Sequence, residues 1–186
     1  VVLADVGPFA LLTVSLAWLP TFYNEEYGMS LPKAGVLMGL LSLAGLVALL
    51  TASLLSMWIH RRRPFLVIPG ILVGFAGFAT FLLADSVAVY IAVVVLGFVC
   101  WLYLPILLTI PMELYPKDPN RVAMVVATVI SFGGLATFLA PLMVGAIADV
   151  TGSFVPGLVV FAAAAWSLGI AGFLLPETGT ILREQV

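Results

Sequence analysis

Residues 87–110 read VAVYIAVVVLGFVCWLYLPILLTI, 24 positions without a charged side chain. An α-helix rises ~1.5 Å per residue, so about 20 residues cross a ~30 Å hydrocarbon core. The stretch is long enough, and it lacks the alternating polarity of a membrane-barrel strand. Outward from it lie five more apolar stretches of similar length, approximately 1–22, 35–59, 65–84, 122–148 and 154–175, separated by short polar connections. Hydrophobic residues are 63% of the 186 and charged residues 9%, with mean hydropathy +1.26. A soluble domain carries roughly 25% charged residues, so this chain could not keep a surface wet. Hydrocarbon offers no partner to a free backbone N–H or C=O. The pattern therefore predicts an all-α membrane protein, one transmembrane unit of six helices over residues 1–186.

Charge placement sets the orientation. Connections after even-numbered crossings, with the C-terminal tail, carry His60-Arg61-Arg62-Arg63, then Met112 to Arg121, then Arg183. The opposite side receives Asn24 to Lys33, Asp85-Ser86 and Asp149 to Ser153. Six of the seven basic residues, all but Lys33, share one side. The positive-inside rule makes that side cytoplasmic, with both ends of the segment there and the cell (inner) membrane as the expected location. The single cysteine, Cys100, is mid-span and excludes an intrachain disulfide. Residue 1 is Val and the first apolar run starts at once, so the chain reads as a piece of a longer protein trimmed at a helix start.

Gly35-x3-Gly39 and Gly70-x3-Gly74 each put small residues on one helical face, where backbones can approach closely. The second and fifth crossings also resemble each other. Setting Ser42 against Ser131 aligns Ala34 with Ala123, Val36 with Val125, Gly45 with Gly134 and Leu46 with Leu135. Crossings one to three and four to six would then be related halves entering the membrane from opposite sides, a 3+3 inverted repeat.

A longer pattern begins at Glu113-Leu-Tyr-Pro116 and continues through Arg121, Phe132-Gly-Gly134, Pro141, Gly145, Asp149 and Thr151-Gly152. It resembles the major facilitator superfamily, whose loop and helix here commonly read E-L-[FY]-P…R…G…P-x3-G-x3-D-x-[TS]-G. Leu175-Pro-Glu-Thr-Gly179 is similar to the ending after the last helix of that family. Leu55 to Pro64 resembles its L-S-D-R-x-G-R-R loop, with Met57 in place of the acid, Trp58 in place of the first Arg and His60 in place of Gly. The resemblance covers essentially the whole chain as crossings seven to twelve. It implies the C-terminal half of a twelve-helix secondary transporter, in which a small solute crosses by rocking of two halves around a midplane site. It also implies that Glu113 and Arg121 pair across helix ends to steady a gate, with Arg61, Arg62 and Arg63 as topology anchor, and Pro141 and Gly145 as structural positions.

By family position the first and fourth crossings line the cavity. Their midplanes fall near residues 11–13 and 99–103, which makes Thr13, Trp101 and Tyr103 the leading solute contacts, with Ser131 and Thr137 behind them. Trp101 and Tyr103, two positions apart on a helix, point some 200° apart, so both cannot face the cavity squarely. Trp18 and Trp58 read as interfacial belt residues. Asp5 is either a gate carboxylate or proton carrier, or an interfacial cap favoured by the helix dipole. Asp149 reads as a helix terminus before a turn.

Catalysis finds no support. The one histidine, His60, is in the arginine cluster, so neither a base-activated serine nor an H-E-x2-H zinc site can be assembled. No carbonyl-filter signature or ring of charges marks a channel. A non-transporting receptor or scaffold on the same fold stays open. The expected partners are a small solute, the missing N-terminal six-helix half and the bilayer; no cofactor, metal or nucleic acid is expected.

Overall fold

A computed structural model describes residues 1–58, 61–84 and 86–175; His60, Asp85, the 176–179 tail and Arg183 lie outside, as do the side chains of Met57 and Trp58. The described residues are helical and contain no strand. They form α1 (Val2–Tyr27), α2 (Leu31–Trp58), α3 (Pro64–Leu82), α4 (Ala88–Leu102), α5 (Leu104–Leu114), α6 (Pro119–Thr151), α7 (Val155–Ala164) and α8 (Ser167–Leu174). Taken as spans, α4–α5 and α7–α8 are each one crossing, so six helices are long and apolar enough to cross a membrane. Each expected apolar stretch has its helix.

The boundaries follow local chemistry more than apolarity. The polar residues after Phe22 stay helical until Gly28, whose left-handed φ of 60° lets its N–H bond back to the Asn24 carbonyl. At the start of α6, Asp118 accepts the Arg121 N–H at 3.0 Å and Pro119 takes the first helical position. That helix therefore begins three residues before the expected 122. Gly152 ends it in the left-handed region, as the turn expected after Asp149 requires. The fourth span is interrupted at Tyr103, because Pro105 has no N–H to give the Trp101 carbonyl four residues back.

The spans pack in a definite order. Span two lies on span four and span five on span one, while span three touches both span four and span six, and span six also packs on span one. Lipid tails are as apolar as leucine, so burying apolar surface does not drive this association; close van der Waals contact does. Small residues permit it. Gly97 of α4 meets the backbone of Leu41 in α2, and Gly70 of α3 meets the backbone of Gly169 in α8. Three indoles use the same device, with Trp101 seated on Gly45, Trp166 on Gly74 and Trp18 on Gly145. Tyr23 adds a buried hydrogen bond from its hydroxyl to the Thr80 carbonyl, 2.7 Å, joining α1 to α3.

Of the two expected small-residue faces, Gly70 and Gly74 are thus packed within the bundle. Gly35 and Gly39 face open space. Their helix, α2, and its counterpart α6 are the least covered spans. Only 33% and 11% of their most apolar 18 residues are buried, against 50% to 56% for the others. The buried residues of α6, Val129, Gly133, Ala140 and Val144, form a single stripe.

Gly97→Val is expected to cost about 2–3 kcal/mol or more, because the added methyls meet backbone that cannot turn aside. Gly145→Val, which meets only the rim of the Trp18 ring, is expected to cost less. Melting temperatures of the purified full-length protein check the order; equal values would contradict the described contact between α2 and α4.

Candidate functional site

Asp5 stands in the first turn of α1 but does not cap it; no side chain caps that helix start. The residue is 3% exposed, and Oδ1 accepts a hydrogen bond from the Tyr103 hydroxyl at 3.0 Å. This corrects the expectation of an interfacial cap: the carboxylate turns into the bundle, where a donor is waiting, rather than toward water. Tyr103 is fully buried, so its phenol is committed to Asp5 and not to open space. The opposite side of the carboxyl group lies over Gly133 of α6, where a Cβ would come within 2.5 Å of Oδ2. Cys100, one turn before Tyr103, directs its Sγ toward the Pro8 carbonyl at 3.9 Å.

Trp101, on the other side of the same helix, is half-buried between Gly45 of α2 and Phe9 of α1, the latter edge-on with ring centroids 5.7 Å apart. The opposed directions expected for Trp101 and Tyr103 are what the helix gives. Thr13 is half-buried and donates to its own helix, to the Phe9 and Ala10 carbonyls at 3.0 and 3.1 Å. Ser131 is exposed and Thr137 half-exposed along α6. The structure thus places Thr13, Trp101, Ser131 and Thr137 with at least part of their surface uncovered, and Tyr103 without any.

Trp18 turns into the bundle. Its indole N–H donates to the Pro141 carbonyl at 2.8 Å, while its ring lies on Gly145 and against Phe154, 5.0 Å between centroids. The expected structural roles of Pro141 and Gly145 acquire a concrete form here: the proline offers a carbonyl and the glycine makes room for the ring.

At the end where the basic residues gather, Glu113 falls in the last turn of α5, not in a loop. The implied Glu113–Arg121 pair is replaced by another. Arg62 Nη2 is 2.7 Å and Nε 3.0 Å from Glu113 Oε1, with the side chains 12% and 8% exposed. Arg121 lies instead over the Tyr115 ring, 4.8 Å from its centroid. Arg63 donates from Nε to the Leu175 carbonyl at 3.0 Å, which serves the open C-terminus of α8. Arg61 is exposed. These contacts join the second-to-third connection, the end of span four and the end of span six on one side of the bundle. The opposite side has a recess of about 480 Å³ lined by Tyr27, Lys33, Ala84, Ser86 and Tyr90 among others. Sequence reading missed the Arg62 partnership; its signal was an acid and a basic cluster at same-side ends of adjacent spans.

Among the described residues, no three His, Cys, Asp or Glu side chains gather as metal ligands. No curated protein and no solved structure matches the chain. The family model of the Major Facilitator Superfamily does, over residues 2–141, from the start of α1 to Pro141 on α6. With six membrane-spanning helices in an integral multi-pass arrangement, the chain belongs to the major facilitator superfamily, a family of membrane transporters.

Proposed function

We propose that this chain is one wall of a secondary transporter for a small solute, working by alternating access, and that a second six-helix half supplies the opposite wall. The observation that carries the reading is the uncovered condition of α2 and α6. Their bare surfaces are not purely apolar: Ser42, Thr128 and Ser131 are exposed on them. The hydroxyls of Ser131 and Thr137 have no hydrogen-bond partner among the described residues. A hydroxyl-bearing face suits a water-filled path or a partner helix better than lipid. Trp101, held between α1 and α2, presents an aromatic surface beside that face, with Thr13 on α1.

Two further elements belong to this reading. Spans one to three and four to six are related as a 3+3 inverted repeat. Exchanging one with four, two with five and three with six carries the contact of span two on four into that of five on one, and of one on six into four on three. The local contacts at the aligned glycines differ, since Gly45 holds Trp101 and Gly134 faces open space. The end bearing Arg61, Arg62, Arg63 and Arg121 is cytoplasmic by its charge, in the cell (inner) membrane, and the Arg62–Glu113 pair steadies a gate at that end.

Single cysteines along 96–109 of the full-length protein, with Cys100 replaced, test the path. Labelling by a water-soluble thiol reagent is expected at Trp101, Pro105 and Leu108, and protection at Val99, Tyr103 and Ile106. Uniform protection would count against a path beside this helix. For the gate, Glu113→Gln removes the negative charge that lies 2.7 Å from the mostly buried Arg62 guanidinium, and is expected to lower the melting temperature. Exchanging the two charges (Arg62→Glu with Glu113→Arg) should recover part of that loss in melting temperature and in solute flux. No recovery would mean the pair is not an independent contact.

A further inference from the structure

The three indoles that lie on glycines differ in one respect. Trp18 and Trp166 each donate their N–H to a carbonyl of another helix, Pro141 at 2.8 Å and Ile71 at 3.2 Å. The Trp101 N–H has no acceptor among the described residues, and it is not sealed from the surface. An indole nitrogen donates and does not accept. Trp101 stands at the middle of the 27-residue span Ala88–Leu114, the depth at which hydrocarbon offers nothing to take its proton. A donor left unmade in such surroundings is costly. Packing explains where the ring sits, since its pyrrole edge lies over Gly45, where a Cβ would come within 2.8 Å of Nε1. It does not explain an open donor.

The surroundings of that donor are narrow in chemistry. Phe98, Trp101, Pro105 and Leu108 form the half-buried stripe of the fourth span, at helical spacing. Phe9, Thr13 and Ala17 form the corresponding stripe of α1, and the two meet where Phe9 stands edge-on to Trp101, 5.7 Å between centroids. Neither stripe carries a charged side chain. The Thr13 hydroxyl already donates to the Phe9 and Ala10 carbonyls. Across on α2, the exposed Ser42 hydroxyl donates to the Met38 carbonyl. The Trp101 N–H is therefore the one uncommitted side-chain donor on the two stripes, set in an aromatic and aliphatic surface.

We propose that the Trp101 Nε1–H is the hydrogen-bond donor to the solute, and that the part of the solute meeting this wall is uncharged and apolar and carries an acceptor atom. The class is a neutral, largely apolar molecule with a carbonyl, ether or ring-nitrogen acceptor. The rings of Trp101 and Phe9 take its body, and the N–H fixes its orientation. An anion finds no cation on this wall, and a polyol finds one donor for its many hydroxyls. The proposal rests on the transporter reading above and names the solute class for it.

Benzophenone, a neutral aromatic ketone, and diphenylmethane, which has a methylene in place of the carbonyl, are the probes. Their equilibrium binding to the full-length protein in nanodiscs is measured, with uptake by empty nanodiscs subtracted. The wild type is expected to bind benzophenone saturably and about 2- to 10-fold more tightly than diphenylmethane, the effect of one neutral hydrogen bond. In Trp101→Phe, which keeps a ring and removes the N–H, that preference is expected to vanish. Should the variant fail to fold, irradiation of the benzophenone-loaded wild type attaches the ketone to a nearby C–H, and the attachment is expected within 9–13, 42–49 or 98–108. No saturable binding, a preference retained in Trp101→Phe, or attachment only outside those segments would overturn the assignment. Flux of both compounds is measured separately in vesicles. The preference in a protein that moves neither compound upholds the Trp101 site and counts against the transporter reading; transport without the preference upholds that reading and overturns the site.

Discussion

Two helices in hydrocarbon gain little by hiding leucines from a solvent that is itself apolar, so the bundle depends on how closely backbones can approach. Gly97 against Leu41 and Gly70 against Gly169 are the positions where this approach is tightest. They fix span four on span two and span three on span six. The tryptophans on Gly45, Gly74 and Gly145 extend the same principle, filling with a flat ring the space a missing side chain leaves. An indole in a membrane interior also needs a partner for its N–H. Trp18 finds the Pro141 carbonyl, and Trp166 the Ile71 carbonyl at 3.2 Å.

With those contacts set, the position of the fourth span follows, and with it the polar interior. The helix is held to α2 at Gly97 and interrupted at Tyr103, where Pro105 removes a backbone donor. The interruption lies where Tyr103 meets Asp5 and where Trp101, on the reverse side, meets Phe9. One short segment thus connects a buried carboxylate to the surface proposed to face the solute. At the basic end, Arg62–Glu113 ties the second-to-third connection to the end of the same span. Movement of α5 therefore involves both contacts.

Much of the fold was legible because its cause is local and one-dimensional. Length and apolarity located six helices, and charge placement grouped the connections that the Arg62–Glu113 and Arg63–Leu175 contacts join. The motif from Glu113 to Gly152 indicated the family that the match over residues 2–141 shows. Partnerships were less legible, since they depend on which faces meet. Glu113 takes Arg62 instead of Arg121, 51 residues away in sequence rather than eight. Asp5 reads from its place near a helix start as a cap or a gate carboxylate; its burial depends on Tyr103, which reaches it from 98 residues away. Trp18, assigned to the interface by its place along α1, is drawn inward by a carbonyl on α6. Helix ends were misjudged for a simpler reason: caps such as Gly28 and Asp118 override the point where apolarity fades.

The central claim is that the bare, hydroxyl-bearing face of α6 lines a water-filled path. Accessibility of single cysteines from 124 to 142, probed with a membrane-impermeant thiol reagent in the full-length protein in its native membrane, tests this most directly. The account predicts labelling at Thr128, Ser131 and Leu135, with Val129, Gly133 and Ala140 protected against α1 and α7. Protection of every position would contradict it.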